Sequence, residues 1–343
     1  MINWGIIGLG NMANKFASSI KNLEKTKLLS IASKTSSRLE KFGNAYDVDK
    51  KYRFNNYEDV LKCDEINAIY ISTLNNTHHD LIIKAIDFNK NILCEKPASV
   101  NYEESLNIYN KLLKSKVFFM EAIAYRSHEQ TNFVINEIKK NTIGRVSFVK
   151  SNFGFFIKKI NHKSRLFNLE MGGGAILDVG CYPLSFSNLI ANIDNEKENI
   201  NPELINVSGS LCETGVDDIA YATLIYKNNI ESKIGVAIRL NMENKTIIEG
   251  TKGKLIIENP WLPEKKSVVE IQTKDRYYKS FINSKFEIFE NQIDLVNKFI
   301  LENKKEGDFP CMNWKSTLDN MRTLSNWKKK LIEKNEKDNQ RKK

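Results

Sequence analysis

The chain has 343 residues, 41% of them hydrophobic, and a formal net charge of +10 from 52 Lys and Arg against 42 Asp and Glu. That length supports two domains with separate cores, and no apolar stretch approaches the roughly 18 residues of a membrane span. The chain opens directly into Ile2-Asn3-Trp4-Gly5-Ile6-Ile7, without a basic n-region or a long apolar run, so a soluble cytoplasmic protein with no membrane partner is expected.

Five cysteines, none in C-x-x-C spacing, fit reduced thiols better than a disulfide framework or a zinc ribbon. The adjacency of His78 and His79 is wrong for two ligands on one helical face, so no metal is expected. Much of the positive charge lies at residues 328–343, with eight Lys or Arg against three Asp or Glu. Such a run reads as a solvated, fraying tail. It lacks the interleaved aromatics of a nucleic-acid-binding segment, and no nucleic acid is expected as a partner.

Ile2 to Ile7 reads as an apolar strand that runs into Gly8-Leu9-Gly10-Asn11-Met12-Ala13 and then a helical segment to about Leu23. This is the strand, glycine turn and helix of a dinucleotide fold in its G-x-G-x-x-A form. Gly8 permits the turn, Gly10 lets backbone approach a pyrophosphate, and the helix start at Asn11 and Met12 offers free N–H groups to phosphate. The second strand, Lys27 to Ala32, should end in the residue that reads the adenosine ribose. An acid there would bind a 2′-hydroxyl and favour NAD. Ser33, Lys34, Thr35 and Arg38 stand there instead. Hydroxyls and two cations suit a 2′-phosphate, so the expected cofactor is NADP, with NAD less favoured.

Strand 68–72 opens into Thr73, Asn75 and His78, polar groups at a strand end that face the crevice of such a sheet. Strand Ile92-Leu93-Cys94 stops abruptly at Glu95-Lys96-Pro97, where a proline cannot continue a central strand and a lysine is rarely buried. Taken alone, Glu-Lys-Pro also fits a solvated turn. Beyond strand 117–120, Glu121-Ala122 leads to Arg126, a further candidate for the cofactor. The alternation of strands and helices to about residue 123 indicates a parallel, doubly wound sheet.

The pattern then changes to alternating strands joined by short turns, at 146–155, 221–226, 230–240, 245–250 and 254–258. This suggests an α+β domain with a large, mostly antiparallel open sheet, whose free face can take a partner. The expected domains are 1–123 for the cofactor and 124–343 for substrate and oligomerisation. Amphipathic helices are expected at 286–302 and 313–331. Between the strands lies Gly172-Gly173-Gly174-Ala175, followed by Asp178 and Tyr182. Three glycines let a chain pass close to a ligand, and an i, i+4 spacing on one helix sets a carboxylate beside a phenol.

These stretches together resemble the Gfo/Idh/MocA oxidoreductases. The resemblance covers nearly the whole chain and rests on Gly8 to Ala13, Ser72-Thr73-Leu74-Asn75, Cys94-Glu95-Lys96-Pro97 and the glycine run with Asp178-x-Gly180-x-Tyr182-Pro183. Met120-Glu121-Ala122 with Tyr125, Arg126 and His128 looks like the branch that holds dimeric dihydrodiol dehydrogenase, xylose dehydrogenase and sugar-nucleotide 3-ketoreductases. The resemblance implies that Lys96 is the active-site lysine, Asp178 a substrate ligand and Tyr182 an acid/base group. It also implies a cis Lys96–Pro97 peptide. Leu74 and Ser127 depart from the usual pattern, where Pro and Phe are frequent.

The expected activity is hydride transfer between NADP and a sugar, sugar nucleotide or related polyol or diol. A cation such as Lys96 would favour the phenolate of Tyr182, whose unperturbed pKa is about 10, and either residue can donate the proton. The alternative is a non-catalytic NADP-binding sensor on the same scaffold. A homodimer or homotetramer is expected.

Overall fold

Ile2–Ile7 is buried along nearly its whole length and forms β1, the inner strand from which the first sheet is built. This computed structural model of the protein describes residues 1–194 and 200–341. The chain continues through α1 (Asn11–Ile20), β2 (Thr26–Ala32), α2 (Ser36–Ala45), β3 (Arg53–Phe54), α3 (Tyr57–Lys62) and β4 (Ala68–Ile71). Then come α4 (His78–Asp87), β5 (Asn91–Cys94), α5 (Tyr102–Leu113) and β6 (Phe119–Glu121). The strands lie in the order β3-β2-β1-β4-β5-β6, all parallel. The order reverses between β1 and β4, and in open α/β sheets that switch point opens the ligand crevice.

The second part of the chain contributes α6 (Glu129–Lys139), β7 (Val146–Gly154), α7 (Ala175–Asp178), α8 (Cys181–Ala191) and β8 (Glu203–Leu211). It continues with β9 (Asp217–Ile225), β10 (Glu231–Ala237), β11 (Thr246–Gly250), β12 (Gly253–Ile257), β13 (Lys266–Thr273) and β14 (Tyr277–Asn283), and ends in α9 (Ile288–Leu301) and α10 (Trp314–Arg341). Its eight strands run in the order β14-β13-β12-β11-β7-β10-β9-β8. Every neighbouring pair is antiparallel except β7 with β10, so the sheet is mixed but mostly antiparallel.

The chain forms two compact units, and the boundary is not a single cut near residue 123. Residues 285–317 belong to the first unit with 1–99 and 103–127, whereas 100–102, 128–284 and 318–343 form the second. The reason lies in the packing of α9. The Trp4 indole, fully buried, donates from Nε1 to Asn297 Oδ1 at 2.9 Å, and α9 packs on α1. Trp4, Phe16 and Tyr70 extend the same core, with the Phe16 and Tyr70 rings stacked 3.9 Å apart.

The C-terminal run is not a fraying tail over its described length. α10 continues to Arg341, and two of its lysines reach β8, an edge strand of the second sheet. Lys330 Nζ donates to Leu204 O and Lys334 Nζ to Val207 O, both at 2.8 Å. Lysines that occupy the open acceptors of an edge strand protect it from pairing with another chain. Lys342 and Lys343 lie outside the described residues. No helix among the described residues is long and apolar enough to cross a membrane.

Candidate active site

In the first unit the strand ends around the switch point supply the candidate cofactor residues. Gly8 follows β1 with φ +90°, a conformation that favours glycine. A Cβ there would also strike Thr73 Cγ2 at 2.7 Å and Ser72 O at 2.9 Å. Ser72 Oγ donates to Gly8 O at 2.8 Å, which ties the ends of β1 and β4. Gly10 is different, because a Cβ on it would meet nothing within 4 Å. Open space therefore lies over this backbone, beside the start of α1. No side chain caps that helix start, and its first turn carries no acid. Asn11 and Met12 head the helix, so the place is suited to a pyrophosphate by space and by the dipole of the helix.

The end of β2 carries no carboxylate. Ser33 is buried, and its Oγ accepts from Thr35 N at 3.2 Å, which braces the local turn and leaves its O–H free to donate. Thr35 and Arg38 line a cavity of about 510 Å³ together with Leu9, Asn14 and Lys41. Lys34 lines a separate cavity of about 370 Å³, and its Nζ stands 5.3 Å over the Tyr57 ring. The two cations read from the sequence are thus divided between two cavities. The second cation beside Arg38 is Lys41, one turn along α2, which the sequence reading did not single out.

Past β4, Thr73 Oγ1 accepts from Thr77 Oγ1 at 2.7 Å. Asn75 is buried in the 3-10 turn that follows. His78 is wholly buried, with Nδ1 2.8 Å from Pro97 O and Nε2 3.3 Å from Thr73 O. Its ring joins the β4 end to the Lys96–Pro97 turn. That peptide is cis. Lys96 is half-buried on this turn. Beside it the buried Glu95 accepts at Oε1 from the Tyr70 hydroxyl and at Oε2 from Lys96 N, the latter at 3.3 Å. Arg126 is buried too. Its Nε donates to Pro310 O at 2.5 Å and its Nη1 lies 3.3 Å from Met312 Sδ, so much of the guanidinium holds the 310–312 segment. Desolvation lowers its pKa from the usual arginine value.

In the second unit Asp178 and Tyr182 do not share one helix. α7 ends at Asp178, the chain turns at Val179 and Gly180, and α8 begins at Cys181. The i, i+4 face expected from the spacing is therefore not what relates them. At this break a Cβ on Gly180 would lie 2.4 Å from Ile176 O, so the turn takes a glycine there. Asp178 is buried, and its Oδ1 accepts from Arg165 Nη1 at 2.8 Å. Tyr182 sits in an aromatic group. The Phe153 ring meets it edge-on at 5.2 Å and Trp261 at 6.2 Å, while Trp261 Nε1 donates to Asn152 O.

The glycine run is required by contacts within the protein itself. A Cβ on Gly173 would lie 2.7–2.8 Å from three carbonyl oxygens of residues 165–168. At Gly174, φ is +111° and a Cβ would lie 2.2 Å from Asp217 Oδ1. Asp217, fully buried at the start of β9, accepts from Ile176 N at 2.6 Å and so caps the helix that presents Asp178. Its other oxygen, Oδ1, has no hydrogen-bond partner. Arg165 and Asp217 are both contacts that only the tertiary fold reveals.

A parallel six-stranded sheet with an open glycine turn at its switch point defines a nicotinamide-dinucleotide-binding protein joined to a second, sheet-based unit. The chain belongs to the Gfo/Idh/MocA oxidoreductases. Residues 2–122 match the oxidoreductase family with an NAD-binding Rossmann fold, and residues 134–256 match the Gfo/Idh/MocA C-terminal domain. It is an NAD(P)-dependent oxidoreductase. Over 263 residues it is 30% identical to trans-1,2-dihydrobenzene-1,2-diol dehydrogenase of Xenopus tropicalis, with 76% of each chain covered. Its fold is that of a 3-ketoreductase from Actinomadura kijaniata crystallised with NADP and TDP-benzene, at TM-score 0.83 and 18% identity over 94% of this chain and 95% of that one. An aldose-aldose oxidoreductase from Caulobacter crescentus is similar at TM-score 0.82 and 19% identity, over 96% and 98% of the two chains.

Burial pushes the Asp217 carboxyl up to about 6, although the Ile176 N–H and Lys328 act in the other direction. In the unfolded chain this group titrates near 3.9. Below that value both states hold the proton and the group's contribution to stability is whole. Between about 3.9 and 6 the unfolded chain ionises first, and stability falls by on the order of 3 kcal/mol. Asp217→Asn cannot titrate. Relative to wild type, its melting temperature should therefore rise as pH increases from 4 to about 6.5 and then level off. Parallel melting-temperature curves for the two proteins over pH 4–8 would show that this carboxyl has no such role.

Proposed function

We propose that the chain is an NADP-dependent oxidoreductase that interconverts a carbonyl and a carbinol on a sugar, a sugar nucleotide or a related diol. The observation that carries this reading is the combination of an open phosphate cradle at Gly10 with an acid-free β2 end whose cavity holds Arg38 and Lys41. The relatives named for a dihydrodiol, a keto group and aldoses support the substrate class. Gly8, Gly10, Asn11 and Met12 would hold the pyrophosphate. Thr35, Arg38 and Lys41 would hold the adenosine phosphate, and Thr73, Asn75, Glu95 and Lys96 would border the rest of the cofactor. His78 and Arg126 shape the backbone around it, His78 through two carbonyls and Arg126 through the 310–312 segment.

The bound nicotinamide supplies or accepts the hydride. The chain's own residues manage the proton and the substrate. Tyr182 is the candidate donor to the carbonyl oxygen in reduction and the acceptor of that proton in oxidation. Lys96 supplies positive charge and N–H donors to the same oxygen. Asp178, held by Arg165, accepts a hydrogen bond from a substrate hydroxyl. The aromatic rings of Phe153 and Trp261 fix the phenol of Tyr182 in orientation.

The cofactor preference follows from charge. A charge-assisted contact to phosphate contributes roughly 1.5–3 kcal/mol, or about ten- to a hundredfold in affinity. Fluorescence titration should give NADPH tighter than NADH by that ratio, and Arg38→Ala should narrow the gap. Equal or tighter NADH binding by the wild-type protein would refute the preference.

The catalytic assignment predicts that Tyr182→Phe lowers kcat by about 10²–10⁴-fold with little change in NADPH affinity. Lys96→Ala should do comparable harm, and the double variant should be little worse than the more damaged single one. Wild-type kcat in Tyr182→Phe would leave Lys96 as the donor, and additive losses would show that the two act independently.

A second copy of the chain is the proposed cover for the open face of the second sheet. Tyr221 there is 42% exposed, and with Lys150, Asn152, Thr223 and Lys233 it borders a cavity of about 290 Å³. Light scattering at micromolar concentration should return at least twice the 39.5 kDa chain mass, and a monomer mass would exclude this cover.

A further inference from the structure

The loop between β7 and α7 carries Lys158, Lys159, Lys163 and Arg165, and residues 155–169 contain no Asp or Glu. The loop is held at both ends. At its start Ile157 N donates to Ile238 O at 3.0 Å, and Phe156 forms a bridge with Arg239. At its end Gly173 N donates to Asn168 O at 2.9 Å and Gly174 N to Leu166 O at 3.0 Å. Between them Ser164 N donates to Asn161 O at 2.8 Å and closes a turn. Lys158, Lys159 and Lys163 stand exposed on this held loop.

Cations gathered on one short loop raise the local positive potential, and a charged surface of one sign concentrates ligands of the other. Among the described residues no carboxylate pairs with Lys158, Lys159, Lys163 or Arg239. At the loop tip His162 Nε2 lies 3.3 Å from Glu213 Oε1. Arg165 is paired at one corner. Its Nη1 donates to Asp178 Oδ1 at 2.8 Å, and the Asp178 side chain is 7% exposed against 41% for Arg165. The buried carboxylate therefore fixes the guanidinium while its other N–H groups reach solvent. A planar fork of donors suits phosphate oxygens. Fixing it in advance lowers the ordering cost of binding.

We propose that the loop at 158–165 binds a phosphate group of the substrate, so that the substrate is a sugar phosphate or a sugar nucleotide and not a neutral diol. Arg165 joins the two ends of such a ligand. It holds the carboxylate that would take a sugar hydroxyl, and it stands at the root of the cationic loop that would take the phosphate. The lysines would also attract an acidic protein surface, but the position of Arg165 against Asp178 favours a small ligand. The step from this loop to the substrate rests on the reading of Asp178 as a substrate ligand. The phosphate affinity of the loop does not.

The test uses inorganic pyrophosphate, titrated by calorimetry into the protein saturated with NADPH so that the cofactor's own phosphate places are filled. The wild-type protein should bind it. The triple variant Lys158→Ala, Lys159→Ala, Lys163→Ala should bind it roughly tenfold or more weakly. Wild-type affinity should also fall as salt rises from about 0.05 to 0.5 M, because exposed charges are screened. No binding by the wild-type protein, or the same affinity in the triple variant, would overturn the proposal. Glucose 1-phosphate and uridine diphosphate glucose then separate the two sources of phosphate, the tighter one marking the class. Methyl glucoside bound as tightly as either would overturn the proposal as well. Hydride transfer is read separately. Phosphate affinity without NADPH consumption on any carbonyl would refute the oxidoreductase reading and leave this site standing, whereas turnover of neutral carbonyls without phosphate affinity would refute this site alone.

Discussion

A short turn that must hold a polar side chain at a strand end needs an anchor, because its own backbone N–H groups have left the sheet ladder. In the first unit that anchor is a carboxylate buried beneath the turn, and in the second a buried carboxylate plays the same part for the exposed N–H groups at the start of α7. Glu121 takes the Ala98 N–H in the first unit, and Asp217 takes the Ile176 N–H in the second. In both cases one carboxylate oxygen makes the anchoring bond and the other has no partner. Both acids are pushed up by burial, to about 7 and about 6. The anchors carry a desolvation cost, and the structure keeps them where the backbone must be fixed. The side chains carried by these anchored stretches are Lys96, on the turn after β5, and Asp178, at the end of α7.

Much of the first unit was legible because its signals are local. A strand buried on both faces, a glycine turn and a helix start lie within a dozen residues, and each has a physical reason that does not depend on distant parts of the chain. The cis Lys96–Pro97 peptide followed from the resemblance rather than from the residues themselves. The second sheet was readable where alternation is strong, as in β9 to β12. β8 was missed because bulges at Leu204/Asn206 and Ser210/Leu211 break its alternation. β14 was missed because it is an edge strand with only Ile282 buried.

The candidate site was legible in residue type and not in support. Lys96, Asp178 and Tyr182 could be named from their stretches, but the groups that hold them could not. Ala98 and Glu121 are 23 residues apart, Arg165 and Asp178 13, and Ile176 and Asp217 41. No periodicity links such pairs. The single helix expected to carry both Asp178 and Tyr182 is broken at Val179 and Gly180, so their i, i+4 spacing does not set them on one face. The glycines before it serve contacts with protein atoms, which spacing alone could not distinguish from contacts with a ligand.

An oxidoreductase of this design moves a hydride while its own side chains manage a proton at oxygen. The most direct measurement is transfer of the label from NADPH deuterated at C4 of the nicotinamide, followed by mass spectrometry of the products from a panel of 3-keto sugar nucleotides, aldoses and aryl ketones. With the label in the transferred position, the account predicts a carbinol product one mass unit heavier, with the deuterium on the former carbonyl carbon. Tight binding of NADPH with no deuterium in any product across the panel would contradict it.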